Sequence, residues 1–245
     1  MIHPEPIHLR PTATLAERVL LPGDPGRALA LAQSLLQEPR MFNHHRGLWG
    51  YTGPAVADGE PLTIQSTGMG GPSAAIVLSE LIALGAHRAI RVGTCGALAS
   101  ELALGDLVIA RESICADGAS RALGACGRVP ADGPLTEALT RAAAARQEAG
   151  SSAHRVHAGT IVSVDLFYDP SPERSPGWST HEALAVEMES ATLFAVGGAA
   201  EVPVACLLAV SDTFDTAGAR TRIDDHTLLA AAETMGAVAV TALSG

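Results

Sequence analysis

Short, continuous apolar runs broken by Gly and Pro recur along the chain, a pattern that suits strands covered on both faces of a parallel sheet. Residues 19–21, 64–67, 89–97, 107–110, 156–162, 184–186 and 204–210 read as such strands. Between them apolar residues return every three or four positions. Ala74, Ala75, Leu78, Leu81 and Ile82 mark a helix opened by Pro72 and stopped at Gly85, and Leu135, Leu139, Ala142 and Ala143 mark another that runs to Gly150. Asp24 as N-cap and Pro25 at the first position start a helix that continues to Leu36. A last helix over 225–243 buries Leu228, Leu229, Ala232, Met235, Val238 and Ala242. Strand 64–67, its Gly-rich turn, the helix and strand 89–97 form one βαβ unit with an expected right-handed crossover. Residues 117–134 read as a long, turn-rich connection of the kind that is often functional.

Polar residues inside these apolar runs are the anomalies. Arg91 sits in a strand, and a guanidinium is costly to bury without an anion. Gly93, Thr94 and Gly96 follow it, so backbone amides could close on the same anion; pairing with a core carboxylate explains Arg91 equally well. Arg27 falls in the first turn of its helix, where the dipole disfavours a cation unless an anion lies between, although a solvated surface Arg fits too. Glu187 and Glu189 flank Met188 after a strand-like run. They are either first-turn acids favoured by the dipole or an oxygen pair offered to sugar hydroxyls. Phe167 and Tyr168 follow a strand end and could stack on a flat ligand or pack beneath a loop. The run 204–210 stops at Ser211-Asp212, where open α/β sheets bind ligands.

Composition narrows the chemistry. At 245 residues and 47% hydrophobic, the chain is read as one α/β domain, 1–245, large enough for a full core. The net charge of -10 argues against nucleic-acid and anionic-membrane partners, yet leaves room for a local Arg pocket. All 16 basic residues are Arg, which removes Schiff-base, pyridoxal-phosphate and lysine-loop nucleotide chemistry. Cys95, Cys115, Cys126 and Cys206 show no metal-like spacing and read as free thiols of a reducing, cytoplasmic setting. The adjacent His44 and His45 read as structural. The apolar run 202–210 is too short to span a bilayer.

Seven motifs in order, Pro22-Gly23-Asp24-Pro25 with Arg27, His45-Arg46-Gly47, Thr67-Gly68-Met69-Gly70 with Pro72-Ser73, Arg91-Val92-Gly93-Thr94, Phe167-Tyr168, Glu187-Met188-Glu189 and Ser211-Asp212, resemble the nucleoside phosphorylase family. That family contains the trimeric and hexameric purine nucleoside phosphorylases and uridine phosphorylase, and the resemblance covers nearly the whole chain. It implies a three-layer α/β/α fold with a mixed, mostly parallel central sheet. It also implies phosphorolysis of a nucleoside to free base and pentose 1-phosphate, with inorganic phosphate as co-substrate and no cofactor or metal. Gly23, Arg27, Arg91 and Thr94 would hold phosphate, joined by Arg46 of a neighbouring subunit. Met69, Met188 and Glu189 would place the ribose, with the neighbour's His8 on the 5′ hydroxyl. Cys95, Gly96, Phe167, Val186, Glu187 and Ser211 would form the base pocket. Shared sites of this kind require a homo-oligomer, expected as a hexamer built as a trimer of dimers.

By the same resemblance Asp212 donates a proton to the purine. An Asp in water is ionised at neutral pH, so this role needs surroundings that favour the protonated form. The Arg that the family pairs with this Asp does not align here, and Arg220 and Arg222 both qualify. Because one carboxyl can donate to a ring nitrogen and then accept from an amino group, adenosine is expected as a substrate alongside or ahead of inosine. Uridine phosphorylase is the runner-up: Asp117-Gly118-Ala119-Ser120 and Glu189-Ser190-Ala191-Thr192 are close to that branch, but no uracil-reading Gln follows Tyr168, and Asp212 is the purine-type residue. A nucleoside hydrolase would not need three arginines, and a non-catalytic binding module would be marked by a broken Asp212 or Glu189.

Overall fold

A computed structural model describes residues 5–150, 154–169, 183–215 and 219–245. The stretch from Pro170 to Arg174, part of the segment after Tyr168 that holds no Gln, lies outside them. The elements run β1 (Arg18–Leu21), α1 (Pro25–Leu35), β2 (Arg40–Asn43), a 3-10 turn (His45–Gly47), β3 (Gly50–Pro54), β4 (Pro61–Gln65), α2 (Gly71–Ala83) and β5 (Arg88–Ala97). They continue with β6 (Leu107–Cys115), α3 (Gly118–Ala122), β7 (Arg128–Pro130), α4 (Gly133–Glu148), β8 (Val156–Ser163), β9 (Ala183–Glu187), α5 (Ser190–Ala200), β10 (Val204–Phe214), β11 (Arg220–Arg222) and α6 (Asp225–Leu243).

Helix starts follow from local chemistry. Asp24, Asp132 and Asp224 each accept from the backbone N–H three residues on, at Arg27, Leu135 and Thr227, a cap that contributes about 1 kcal/mol apiece. Strand alternation then divides the core. Leu20, Ile90, Val92, Leu207 and Ala209 face α1, α4 and α6, while Val19, Leu21, Ala89, Cys206 and Leu208 face α2 and α5. Two helical layers thus sandwich one sheet, and each fully buried Leu or Ile stabilises it by about 1.5–3 kcal/mol. α6 has the length and apolarity of a membrane span, yet Met235, Val238, Ala239 and Leu243 are buried in the first of these clusters.

The sheet order is β11-β10-β6-β8-β9-β5-β1-β4-β3-β2, with β7 on β6 and a further pairing of β10 with β5. That last pairing closes β10, β6, β8, β9 and β5 on themselves. The long registers, β10 on β5 and β6 on β8, are parallel, and antiparallel pairs join the hairpins and the β5–β9 and β6–β10 seams. Three sequence expectations change. β4 and β5 are parallel but β1 lies between them, so α2 crosses over an intervening strand. Residues 117–134 hold α3, capped by Asp117, and β7, which pairs with β6. β10 does not stop at Ser211: it continues to Phe214 and pairs with β11, because a bulge between Val210 and Asp212 keeps it on β5.

Candidate active site

The parallel strands β1, β4, β5 and β10 deliver their C-terminal ends to one place, which is where Gly23, Gly68–Gly70, Thr94–Gly96 and Ser211–Asp212 lie. Arg91 is the buried centre. Its Nε donates to Glu187 Oε2 at 3.0 Å and its Nη2 to Glu189 Oε2, while Nη1 is buried with no partner. The pairing of Arg91 with core carboxylates is therefore present through two nitrogens, and the third nitrogen is left without a partner among the described residues. A methyl group placed on Gly23 would stand 4.0 Å from that Nη1, and Gly93 is required because a Cβ there would meet the Arg91 guanidinium at 2.8 Å. Arg27 approaches the same spot. Burial depresses its pKa, Asp24 opposes this, and the charges of Arg91 and Arg222 depress it further. The repulsion that neighbouring cations exert on Arg27 is what a dianion would relieve. Thr94, half-buried on β5, sits opposite Ala209.

Neither glutamate is a first-turn acid: Glu187 ends β9 and Glu189 is the N-cap position of α5. The resemblance put Glu187 in the base pocket, but its own chain occupies both oxygens. Oε1 accepts from Ser163 Oγ and from Ser190 N at 2.9 Å, and Oε2 accepts from Arg91 and from Glu189 N at 2.9 Å. Ser163 is in turn 2.9 Å from Ser113 Oγ, and both are fully buried. Glu187 is thus the anchor of Arg91 and not a reader of the base. Glu189 accepts from Gly70 N at 2.5 Å, where the loop adopts φ +85°. Burial raises the Glu189 pKa, the Arg91 charge lowers it, and the Glu187 charge raises it again, leaving it above the ordinary range. Met69 is 86% exposed at the rim and Met188 is half-buried, so both can close over a ribose at Glu189.

The other wall belongs to β10 and β11. The bulge leaves Ser211 as the extra residue; its Oγ bridges Cys95 O at 3.2 Å and Asp212 Oδ2 at 2.7 Å. Antiparallel register places Arg222 opposite Asp212, and Arg222 Nη1 lies 3.0 Å from both carboxylate oxygens. Arg220 is 4.0 Å from Asp212 and instead lies over the Phe167 ring at 4.4 Å and the Phe214 ring at 5.5 Å. The open pairing is therefore Asp212 with Arg222. Gly96 packs between Phe214 and Val186, since a Cβ there would meet them at 3.1 and 3.3 Å. Cys95 departs from its expected place: its thiol points into the core toward Ala209 O, and burial holds its pKa well above the usual thiol range. Phe167 and Tyr168 are exposed and stacked edge to face at 4.9 Å. Phe214 was missed in the sequence, although a large aromatic two residues beyond Asp212 was the available signal.

Residues 17–244 match the family model described as the phosphorylase superfamily. The chain belongs to the phosphorylase superfamily. Within it, the chain is 36% identical over 84% of its length to a DeoD-type purine nucleoside phosphorylase of Alkaliphilus metalliredigens, of which 87% is covered. It is 37% identical over 82% of its length to the DeoD-type purine nucleoside phosphorylase of Caldanaerobacter subterraneus subsp. tengcongensis, 85% of which is covered. Among solved structures, uridine phosphorylase from Vibrio fischeri ES114 superposes with a TM-score of 0.75 at 25% identity, covering 94% of this chain and 91% of that one.

Two residues expected to serve a neighbour in this superfamily fold sit together, apart from the Arg91 cluster. The carboxylate of Glu80, buried in α2, accepts from Ile7 N, His8 N and Leu9 N and contacts His8 Nδ1 at 2.7 Å. Burial raises the Glu80 pKa, but the His8 contact and these backbone donors outweigh it and hold the group below its ordinary range. His8 O meets His45 Nδ1 at 3.1 Å, which brings Arg46 alongside. Arg46 is exposed, and its φ of 58° is unusual for a residue with a Cβ. Glu80 gave no signal in the sequence beyond a lone acid in an apolar helix.

Proposed function

We propose that this protein is a purine nucleoside phosphorylase, cleaving purine ribonucleosides or deoxyribonucleosides with inorganic phosphate to free base and pentose 1-phosphate. The observation that carries this reading is the buried Arg91 with one unpartnered nitrogen, set beside Arg27 and linked through Glu189 to the ribose position. The kinship with purine nucleoside phosphorylases supports it further. In this mechanism Arg27, Arg91, Gly23 and Thr94 hold phosphate in line with the anomeric carbon, which converts a bimolecular attack into a positioned one. Glu189 accepts from ribose hydroxyls, and its charge together with the phosphate stabilises the oxocarbenium-like ribose. Asp212, oriented by Ser211 and Arg222, delivers a proton to the leaving purine, a proton that it takes up only in the closed complex with the base bound.

The assembly is a homo-oligomer, read as a hexamer of paired subunits in which His8 and Arg46 complete the neighbouring site, and its setting is the cytoplasm. Partners are nucleoside and phosphate, with no nucleic acid or membrane. The superposition on a uridine phosphorylase supports uridine as the second reading; the carboxylic acid at position 212 favours purine. Incubating the protein with inosine, adenosine, guanosine and uridine, with and without phosphate, tests both. Phosphate-dependent release of a purine is expected, and release confined to uracil contradicts the purine assignment.

A further inference from the structure

With Asp212 held by Arg222, Arg220 is left on the adjacent stretch of β11 without a carboxylate partner within hydrogen-bond reach. Its flat faces are taken by Phe167 and Phe214, and no hydrogen bond among the described residues occupies its five in-plane N–H donors. Phe214 rests on Gly96 and Val186, so the same ring that orients Arg220 also lines the base pocket. A planar fork held in this way, with Phe214 already against Gly96, offers its donors to one edge of a flat ring that reaches Asp212. Asp212, 4.0 Å from Arg220, addresses the neighbouring position on that edge.

We propose that Arg220 reads the carbonyl at position 6 of the base and makes 6-oxopurine nucleosides the preferred substrates. The proposal rests on the purine phosphorylase reading and adds its specificity. A 6-oxopurine offers two adjacent acceptors on one edge, N7 and O6, whereas adenine offers N7 and an amino donor. Asp212 serves the ring nitrogen in both. Arg220 donates to O6 of the first and faces an N–H₂ donor in the second, where neither group can accept. The ranking expected from Asp212 alone, adenosine alongside or ahead of inosine, is therefore reversed.

The test compares kcat/KM for inosine and adenosine in wild type, Arg220→Gln and Arg220→Lys, together with Kd for free hypoxanthine and adenine. Wild type is expected to favour inosine, and Arg220→Gln to lower the inosine-to-adenosine ratio by about 10- to 100-fold, the effect of a hydrogen bond from a charged donor. Arg220→Lys keeps charge but loses the fork and its ring stacking, and falls between the two. A partly unfolded variant loses both nucleosides alike, so the ratio reads recognition and not fold. An unchanged ratio in Arg220→Gln, or a wild type that favours adenosine and adenine, overturns the proposal. If neither nucleoside is cleaved but hypoxanthine still binds more tightly than adenine in an Arg220-dependent way, the phosphorylase reading falls and this one stands.

Discussion

The two sides of the cleft are built differently. On the phosphate and ribose side, Arg91, Glu187, Glu189, Ser163 and Ser113 are all buried and joined by a continuous chain of hydrogen bonds that ends at Gly70 N. On the base side, Phe167, Phe214, Arg220 and Arg222 are exposed, and the short edge strand β11 carries both arginines. The contrast separates two tasks. On the proposed function, a buried network complete but for one nitrogen of Arg91 fixes the charges that would hold a dianion and a developing cation. An exposed wall of rings on an edge strand can admit a flat base and release it.

If this division is right, the costliest break is at the buried centre. Arg91→Ala leaves Glu187 and Glu189 without their cation, and removing one partner of a buried charge pair typically costs about 3–5 kcal/mol. Thermal unfolding should drop accordingly, and phosphate dependence should weaken steeply; an unaltered melting temperature would show that the network does not bear on stability. Asp212→Asn strikes the base side, where buried Asp212 is linked to exposed Arg222 across the β10–β11 hairpin. Rate is expected to fall by about 100- to 10,000-fold on adenosine, and by less on a 6-oxopurine nucleoside, with little change in melting. Turnover at saturating phosphate checks it, and equal losses on both nucleosides remove the discriminating role. Ser163→Ala takes one donor from Glu187 and the acceptor of Ala191 N. We expect a loss of about 1–3 kcal/mol in denaturant unfolding with Asp212-side specificity intact.

The smallest effect lies outside both walls. Glu80 is held below its ordinary range, so the stability it contributes is present above the pKa of an unfolded glutamate and is lost as pH falls through the folded value. Protection of the Ile7, His8 and Leu9 amides, measured relative to their free-peptide exchange rates, should thus be high at neutral pH and fall as pH drops below the ordinary glutamate range. Glu80→Gln is expected to be less protected at neutral pH and nearly flat with acid, a difference of about 1 kcal/mol. Identical profiles would assign the clamp to other contacts.

The phosphate side was the more legible in sequence, for a physical reason. An Arg in a continuous apolar run, small residues after it and two acids around a Met are each anomalous locally, and all converge in the structure. What could not be read was which acid each nitrogen of Arg91 would take, because partners 96 and 98 residues away are chosen by sheet register. The helix start at Asp24 was equally plain, being set by a cap, and the helix over 225–243 by its period, while the layers came from the family resemblance. The base side was less so. Arg220 and Arg222 are two residues apart on the same face of β11, and only the register of β11 on β10 decides which lies opposite Asp212. The closure of β10 onto both β5 and β6 runs through residues 204–210, ahead of the bulge, and no hydrophobic pattern announces which neighbours a buried strand takes.

The claim that a nitrogen of Arg91 and the Arg27 guanidinium together form an anion site is tested most directly without catalysis, by thermal unfolding in increasing phosphate. A ligand bound only by the folded state adds about 2.7 kcal/mol at a hundredfold excess over its Kd, which raises the melting temperature by roughly 5–10 °C for a chain of this size. Wild type is expected to show that rise. Arg27→Ala, which removes a half-buried cation and leaves the Arg91 network in place, is expected to lose most of it. A rise of the same size in Arg27→Ala, or none in wild type, would contradict the account.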